Sequence, residues 1–284
     1  MKISVILPAR DEAPGLAKIL PRLRELYPEV DLLVIDDGSK DNTVEVAESF
    51  GARVISHRYS MGNGAAIKTG ARNALGDVVV FMDADGQHDP NEIRILVEKL
   101  STGYDMVVGS RDASGHANLS RRFANELYNQ FSGWMVGHTI PDLTSGFRAV
   151  RTEKLREFLF LLPNEFSYPT TLTMAFFRSG FTVGFVPIQV QRRIGKSHIR
   201  PFQDGIRFLL IIFKIGTLFS PLKLFFPISL MFFSSAISYY LYTFLSDHRF
   251  TNMGVVLFIT SMLIFLVGLV SEQITALMYR RPEK

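Results

Sequence analysis

The sequence predicts an α/β protein with a mainly parallel, doubly wound sheet, followed by an interface helix and a two-helix transmembrane hairpin. Three observations predict this class. Strand and helix patterns alternate from residue 1 to about 115, which is typical of a parallel sheet with helices on both faces. Two long runs near the C-terminus carry no charged residue. Acidic and polar residues follow directly after several of the predicted strands.

The strands are short runs rich in branched apolar residues. They are predicted at residues 3–8, 32–36, 53–56, 78–82, 106–109 and 181–190, and a short strand follows the polar turn 142–148. The run Val-Val-Val-Phe-Met at 78–82 contains no polar residue, which indicates a parallel strand that is buried on both faces.

The helices are segments with apolar residues at a spacing of three to four. They are predicted at residues 14–26, 43–50, 64–75, 90–100, 119–135 and 169–178. Asp89 is a suitable N-cap for the helix that begins at Pro90, a residue favoured in the first helical position.

The last third of the chain changes composition. Residues 202–219 are apolar but interrupted by Asp204, Arg207 and Lys214, which favours a helix in the membrane interface over one that crosses it. Residues 224–245 and 253–270, the latter extended through residue 277, are long enough to span a bilayer. The short loop 246–252 makes them a hairpin. Two buried core helices are the alternative, and these lengths disfavour it.

Basic residues flank the apolar segment on both sides. They are Arg192, Arg193, Lys196 and Arg200 before it, and Arg280, Arg281 and Lys284 after it. This distribution predicts that both chain ends and the α/β domain lie in the cytoplasm. It indicates a membrane partner and not a nucleic acid. The chain has no cysteine, which excludes disulfides, thiolate metal sites and a cysteine nucleophile.

The segment Asp83-Ala84-Asp85-Gly86-Gln87 follows the strand at 78–82. The carboxyl ends of strands are where open α/β sheets bind ligands, and hard oxygen ligands suit Mg²⁺ or Mn²⁺ together with phosphates. A simple Asp- and Gly-rich turn is the alternative. The first strand also ends in acidic residues, as does the second. Because clustered carboxylates repel each other, these three strand ends favour a bound nucleotide with a divalent metal.

Five segments resemble glycosyltransferase family 2, and within it the polyprenyl-phosphate glycosyltransferases, typified by dolichol-phosphate mannose synthase and its bacterial undecaprenyl-phosphate relatives. They are Pro8-Ala-Arg-Asp-Glu12, Asp36-Asp37-Gly-Ser39, Asp83-Ala-Asp85-Gly-Gln87, Gly109-Ser-Arg111 and Asp142-x-x-Ser-Gly-Phe-Arg148. The resemblance covers about residues 1–200, and the hairpin agrees with members that have two membrane helices. It implies a GT-A fold and a metal-dependent hexosyltransferase. That enzyme moves one sugar, with inversion, from a UDP- or GDP-sugar to undecaprenyl or dolichyl phosphate.

The resemblance also implies roles for individual residues. The donor nucleotide would contact Pro8, Arg10, Glu12, Asp37, Asp83, Ala84, Asp85 and Gln87. Asp83, Asp85 and Gln87 would hold Mg²⁺ or Mn²⁺, and Asp85 would be catalytic. Arg10 stands where the family often has an aromatic residue. Lys68, on the helix at 64–75, is expected to reach the nucleotide. His88 is expected to be an exposed loop histidine, with a ligand role as the alternative.

The resemblance implies that several mainly basic residues contact the acceptor phosphate. Arginine suits this role because its planar guanidinium binds phosphate oxygens in pairs. These residues are Arg111, Arg121, Arg122, Arg148, Arg193, Lys196 and Ser197. A solvated helix face is the alternative for Arg121 and Arg122, and an anchor to anionic lipid for Arg193 and Lys196. Arg111 and Asp142 are candidate catalytic residues. Asp142 would act as an auxiliary acid/base or orient a sugar hydroxyl or Arg148, and a structural turn carboxylate is equally consistent.

The predicted domains are a cytoplasmic catalytic domain at 1–200, a juxtamembrane amphipathic helix at 201–220, and a hairpin at 221–284. The hairpin has spans at about 222–245 and 253–277 and a short basic cytoplasmic tail. A processive polysaccharide synthase is one alternative, although residues 189–193 lack the tryptophan of its Q-x-x-R-W motif. A catalytically inactive membrane scaffold is another. A homo-oligomer is left open.

Overall fold

A computed structural model of the chain describes residues 1–111, 119–164, 168–190, 213–214, 216–248 and 251–278. Contacts within the chain divide it into two units. The first consists of Met1–Phe131 and His138–Ile199, and the second of Ser132–Gly137 and Arg200–Lys284. The predicted interface helix lies largely outside the described residues.

The first unit is built on a seven-stranded sheet. Its strands are β1 Ile3–Ala9, β2 Asp31–Asp36, β3 Arg53–Ser56, β4 Val78–Phe81, β5 Met106–Arg111, β6 Arg148–Arg151 and β7 Val183–Ile188. Their order in the sheet is β3-β2-β1-β4-β6-β5-β7. Neighbouring strands are parallel except at β6, which runs antiparallel to both β4 and β5. The predicted α/β class with a mainly parallel sheet is therefore confirmed.

Helices cover both faces of this sheet. They are α1 Ala13–Leu26, α2 Thr43–Ser49, α3 Asn63–Asn73, α4 Glu92–Ser101, α5 Leu119–Val136, α6 Thr152–Arg156 and α7 Tyr168–Arg178. Val5 and Leu7 of β1 belong to one apolar cluster with Leu16 of α1 and Leu96 of α4. Ile6, which points to the opposite face, lies beneath α3. Burial on both faces explains why β1 and β4 are almost entirely apolar.

The strand order reverses between β1 and β4. From β1 the chain continues to β2 and β3 on one side, and then crosses to β4 on the other side. Such a reversal opens a crevice at the carboxyl ends of the two strands, where α/β sheets bind ligands. The antiparallel pairing of Phe81 with Arg148 brings the loop before β6 to this same edge.

The second unit contains two long apolar helices, α8 Pro221–Asp247 and α9 Asn252–Met278. Both are long and apolar enough to cross a membrane, and only 11% and 17% of their most apolar windows are buried. That low burial is unlike the core helices of a soluble protein. The buried residues of α9 fall at every seventh position, at Gly254, Ser261, Gly268 and Thr275. Their small side chains let the two helices approach closely.

Ser229 and Ser261 form the polar contact of this seam. The Ser229 hydroxyl donates to the Ser261 carbonyl oxygen at 2.9 Å, and the Ser261 hydroxyl donates to the Ser229 carbonyl oxygen at 3.0 Å. The two hydroxyl oxygens are 3.3 Å apart. Nearby, Phe226 meets Phe265 edge to face. Reciprocal hydrogen bonds and close packing therefore hold the hairpin together.

The last turn of α5 is bonded to the start of α8 within the same unit. The Lys223 amine donates to the carbonyl oxygens of Trp134 and Met135 at 3.0 and 3.1 Å. The Ser220 hydroxyl donates to the Met135 carbonyl oxygen at 3.0 Å. A cation at the end of a helix is favourable because the last carbonyls carry the negative end of the helix dipole. Lys223 and Ser220 thus cap α5.

The serine seam predicts an efficient cross-link. The chain has no cysteine, so the double variant Ser229→Cys/Ser261→Cys carries the only two thiols. Since the two hydroxyl oxygens are 3.3 Å apart, we expect mild oxidation to join the thiols and abolish maleimide labelling. The matched control is Ser234→Cys/Ser261→Cys, because Ser234 lies on the exposed face of α8. Equal labelling of both variants after oxidation would contradict the described packing.

Candidate active site

Five segments of the first unit meet at the carboxyl edge of the sheet. Residues 10–12 follow β1, residues 37–39 follow β2, and residues 83–88 follow β4. Arg111 is the last residue of β5. The loop 142–147 arrives at this edge because β6 is antiparallel to its neighbours. The edge therefore collects the acidic strand ends and the arginine that the sequence assigned to one site.

The loop after β4 alternates between half-exposed and buried side chains. Asp83, Asp85 and Gln87 are half-exposed, whereas the intervening Ala84 and Gly86 are buried. The Asp85 carboxylate accepts a hydrogen bond from the Gln87 backbone N–H at 3.1 Å, and Gly86 takes a φ of 72°. The positive φ suits glycine, because other residues rarely adopt it. This turn therefore leaves the three predicted metal ligands more exposed than the two residues between them.

Two glycines allow the chain to approach this loop closely. A side chain at Gly15 of α1 would lie 2.1 Å from the Ala84 carbonyl oxygen. A side chain at Gly146 would lie 3.1 and 3.2 Å from the Asp83 carboxylate oxygens. Helix α1 and the loop before β6 therefore hold residues 83–85 from two sides.

The donor set of this loop fits a divalent cation. Two carboxylates and an amide oxygen are hard ligands of the kind that Mg²⁺ and Mn²⁺ prefer. Within the described residues, no three His, Cys, Asp or Glu side chains already converge as a complete metal cluster. The remaining coordination positions would then fall to phosphate oxygens and water, which is usual for these ions.

Arg111 and Asp142 form a two-point ion pair beside this loop. Arg111 Nε donates to Asp142 Oδ2 at 2.7 Å, and Nη2 donates to Oδ1 at 2.9 Å. Asp142 also accepts from the backbone N–H groups of Arg111, Thr144 and Ser145. Arg111 Nη1 makes no hydrogen bond to any residue that the structure describes. The pair therefore fixes one edge of the guanidinium and leaves Nη1 available to a ligand.

The electrostatics of the pair favour the charged form of both groups. Burial opposes the ionisation of Asp142, but hydrogen bonds from Arg111 and its positive charge hold the pKa of Asp142 below its usual value. Burial likewise opposes the charge of Arg111, but Asp142 and then Asp83 raise the pKa of Arg111. An aspartate that stays ionised and accepts this many hydrogen bonds is better suited to orient Arg111 than to carry a proton.

Arg148 occupies a different place from the expected one. Its side chain is fully buried, and Nη1 donates to the Pro169 carbonyl oxygen at 2.9 Å and to the Thr173 hydroxyl at 3.1 Å. Nη2 donates to the Ser145 carbonyl oxygen. Burial lowers the pKa of Arg148. The sequence predicted direct contact between Arg148 and a lipid phosphate, and this burial is inconsistent with such a contact. Arg148 instead holds the loop before β6 through the Ser145 carbonyl oxygen.

Asp37 is also engaged by the chain itself. Its Oδ1 accepts from His57 Nδ1 at 2.7 Å and from the Met61 backbone N–H at 2.8 Å. Its Oδ2 accepts from the Ser60 hydroxyl at 2.8 Å and from the Gly62 backbone N–H at 2.9 Å. Four donors satisfy the carboxylate, which is only 4% exposed. Asp37 therefore anchors the loop 60–62, and the predicted contact with base or ribose would have to displace one of these donors.

The loop after β1 is locked to the loop after β2. The Asp11 backbone N–H donates to the Ser39 hydroxyl at 2.9 Å, and Asp11 Oδ1 accepts from the Lys40 backbone N–H at 2.7 Å. The Glu12 backbone N–H donates to the Thr43 hydroxyl at 3.0 Å. Arg10 is exposed and donates from Nη1 to the Ser60 hydroxyl at 2.9 Å.

The remaining predicted donor residues differ in exposure. Pro8 is half-buried within β1, and Glu12 is half-buried at the start of α1. The Lys68 amine donates to the Leu162 carbonyl oxygen at 3.1 Å and to the Asn164 side chain. Burial, and then the charge of Arg72, lower the pKa of Lys68. Lys68 thus joins α3 to residues 162–164, and its predicted contact with the nucleotide stays a prediction.

Several acceptor residues fall outside the described part of the chain. Arg121 and Arg122 belong to the first turns of α5, but their side chains are outside the described residues. Arg193, Lys196 and Ser197 also lie outside the described residues. Their contact with an acceptor phosphate stays a prediction.

Sequence reasoning missed several residues of this edge. His57 and Ser60 hold Asp37, Gly146 makes room for Asp83, and Tyr168 donates its hydroxyl to the Gly146 carbonyl oxygen at 3.2 Å. The expectation that His88 is exposed is wrong, because its side chain is 6% exposed. His88 continues the alternation of half-exposed and buried residues along this loop, and it occupies the buried position after Gln87.

Two family models match the chain. The model described as glycosyl transferase family 2 matches residues 4–159, which begin at the second residue of β1 and include all of β2 to β6. The model described as GtrB C-terminal hairpin matches residues 220–277, which include nearly all of α8 and α9. The two models therefore correspond to the sheet and to the apolar hairpin.

Two curated relatives are similar over about two thirds of the chain. The undecaprenyl-phosphate mannosyltransferase of Micrococcus luteus is 32% identical over 212 residues, covering 69% of this chain and 87% of that protein. The polyprenol monophosphomannose synthase of Mycolicibacterium smegmatis is 34% identical over 209 residues, covering 68% of this chain and 79% of that protein.

A solved structure shares the fold. The glucosyl-3-phosphoglycerate synthase of Mycobacterium tuberculosis, in complex with Mn²⁺, UDP and glucosyl-3-phosphoglycerate, matches with a TM-score of 0.59 and 25% identity. The match covers 75% of this chain and 78% of that one. The mixed sheet thus has the GT-A-like architecture that the sequence predicted.

The Arg111–Asp142 pair predicts a pH-dependent loss of stability in Asp142→Asn. Because the pKa of Asp142 is lowered in the fold, its contribution is complete above about pH 4 and is lost as the pH falls through the lowered value. We expect the free energy of unfolding of the variant to fall by about 1–3 kcal/mol at pH 7, and each kcal/mol lowers Tm by about 2–4 °C. The loss should shrink below pH 4.

Thermal unfolding of the purified full chain at pH 7 and at pH 3.5 measures this difference. Glu98→Gln is the matched control, because Glu98 pairs with Arg94 at 2.6 Å but both side chains are more than half exposed. Exposed pairs contribute little, so the control should melt close to the parent at both pH values. An equal loss of Tm in Asp142→Asn at both pH values would refute the charge argument.

Proposed function

Because the chain belongs to glycosyltransferase family 2, we propose that it transfers one sugar from a nucleotide-sugar donor to a polyprenyl phosphate in a membrane. The family model spans the sheet, and a second model spans the hairpin. Relatives that match about two thirds of the chain are named undecaprenyl-phosphate mannosyltransferase and polyprenol monophosphomannose synthase. The product is a lipid-phosphate-linked monosaccharide.

The observation that carries this proposal is the proximity of the loop after β4 to Arg111. Asp83, in the loop suited to a metal and a diphosphate, is close enough for its charge to raise the pKa of Arg111. Arg111 has Nη1 available for an anionic ligand. A donor phosphate on one side and an acceptor phosphate on the other side would therefore meet between these two residues.

The reaction requires little proton chemistry from the chain. A lipid phosphate is already anionic near neutral pH, so positioning and electrostatic stabilisation suffice. Asp83, Asp85 and Gln87 would hold Mg²⁺ or Mn²⁺, which offsets negative charge on the departing nucleoside diphosphate. Mn²⁺ is the ion to test first, since it is bound in the related synthase structure. Arg111, oriented by Asp142, would hold the acceptor phosphate opposite the leaving group, which inverts the anomeric centre.

The membrane arrangement completes the proposal. In this proposal, residues 1–200 would be the catalytic domain, 201–220 would be a juxtamembrane helix, and 221–284 would be the hairpin with its basic tail. Arg280, Arg281 and Lys284 after the second span favour a cytoplasmic location for both chain ends and for the catalytic domain. Arg121 and Arg122, with Arg193, Lys196 and Ser197, would add contacts to the acceptor phosphate.

One experiment tests the activity directly. The purified full chain is incubated with undecaprenyl phosphate, Mn²⁺ and a panel of UDP- and GDP-sugars, and the lipid fraction is analysed by mass spectrometry. We expect one added hexose per lipid and about a thousandfold lower turnover in Asp85→Ala, since a lost metal interaction is worth several kcal/mol. Asp89→Ala is the matched control on the same loop. A polymeric product would favour the processive synthase, and unchanged turnover in Asp85→Ala would refute the metal assignment.

The acceptor assignment predicts a selective change in Arg111→Ala. A charge-assisted hydrogen bond is worth about 1.5–3 kcal/mol, so the KM for the lipid phosphate should rise by about 10- to 100-fold. The KM for the nucleotide sugar should change much less. Arg53→Ala is the matched control, because Arg53 also forms a two-point pair with an aspartate, Asp31, at the start of β2. A larger rise in the donor KM would contradict the assignment.

A further inference from the structure

His88 is a buried histidine directly beside the predicted metal ligands. Its ring stacks on Phe147, with centroids 4.8 Å apart and planes inclined by 18°. Its backbone pairs with Val190 in an isolated antiparallel bridge. The side chain is 6% exposed. The position of the ring is therefore fixed by stacking on one side and by backbone pairing at its own residue.

The polar atoms of this ring are used unevenly. Nε2 lies 3.7 Å from Asp83 Oδ2, which is within ion-pair range but longer than a hydrogen bond. Nδ1 is buried and has no hydrogen-bond partner among the described residues. An unpaired buried nitrogen is costly, and a phenylalanine would stack on Phe147 without that cost. The polarity of the ring is therefore explained best by the carboxylate that faces Nε2, which belongs to Asp83.

Glu92 is the other ionisable group near this ring. Its Oε1 accepts a hydrogen bond from the Gln189 backbone N–H at 2.7 Å, so it holds the chain next to Val190 in place. Burial raises the pKa of Glu92, and the nearby His88 acts in the opposite direction. Glu92 thus supports the bridge on which His88 sits, while Asp83 is the carboxylate that faces Nε2.

We propose that His88 is a positioning residue for the metal site, in which Nε2 holds one oxygen of Asp83 so that the other oxygen is directed at the cation. This inference rests on the proposed function, because it assigns a support to the predicted ligand Asp83. Asp83 is 40% exposed, and His88 Nε2 and the backbone of Gly146 lie beside its carboxylate. A half-exposed carboxylate needs such a partner to keep one rotamer, and partners of this kind set metal affinity.

The chain offers a matched pair of substitutions. His88→Phe keeps the ring that stacks on Phe147 and removes the nitrogen that faces Asp83. His138→Phe is the control, because His138 also stacks on a phenylalanine, Phe177, with centroids 4.6 Å apart and planes inclined by 15°. His88→Gln is the conservative variant, since its amide group can still donate toward Asp83.

Mn²⁺ binding to the purified full chain is the readout. The EPR signal of free Mn²⁺ is followed during titration in the presence of UDP or of GDP, whichever promotes binding in the parent chain. We expect His88→Phe to raise the Kd for Mn²⁺ by about 10- to 100-fold, as substitution of outer-shell partners does. His138→Phe should leave the Kd unchanged, and His88→Gln should restore most of the affinity.

The outcomes separate this inference from the proposed function. If Asp85→Ala leaves Mn²⁺ binding unchanged, the metal assignment itself fails. If Asp85→Ala weakens binding but His88→Phe stays within twofold of the parent chain, only the role of His88 is overturned. An equal rise of the Kd in His138→Phe would also overturn it. So would a directly coordinated histidine nitrogen in the pulsed EPR of bound Mn²⁺ that disappears in His88→Phe, because His88 would then be a ligand.

Discussion

The site depends on the antiparallel insertion of β6 between β4 and β5. Arg148 pairs with Phe81 of β4 on one side and with Val108 of β5 on the other. This pairing brings the loop before β6 to the carboxyl edge of both strands, and the Gly109 backbone N–H donates to the Phe147 carbonyl oxygen at 2.9 Å. Asp142 then reaches Arg111, Gly146 borders Asp83, and Phe147 provides the surface on which His88 stacks. A parallel strand in this place would send the same loop to the opposite edge.

The acidic residues of the edge fall into two classes that the sequence alone does not separate. Asp37 and Asp142 are buried, and several donors of the chain satisfy each of them. Asp83 and Asp85 are half-exposed, as is Gln87, whereas the residues between them on this loop are buried. Carboxylates of the first class stabilise loops, because burying an ionised group is tolerated only when its oxygens are hydrogen-bonded. Those of the second class retain the exposure that a ligand requires.

Local patterns predicted the elements well, but they did not predict the partners. The runs at residues 3–8 and 78–82 were predictable as buried strands because an apolar run bounded by polar residues is a local signal. The hairpin was predictable because a run of 22 uncharged residues is long enough to span a bilayer and is longer than a typical core helix. The direction of β6 was not predictable, since nothing in four residues encodes which neighbours they pair with. The burial of Arg148 and the protein contacts of Lys68 and Asp37 were not predictable for a similar reason, because most of their partners are distant in sequence.

The cap on the last turn of α5 has a consequence for the hairpin. The Lys223 amine bonds to the carbonyl groups of Trp134 and Met135, so its hydrogen bonds are already made at the start of α8. Lys223 is the third residue of α8, and no other charged residue follows in this helix before Asp247. A charged side chain is costly in the hydrocarbon region of a bilayer. The residue that caps α5 would therefore also limit how deeply the first apolar helix can enter a membrane.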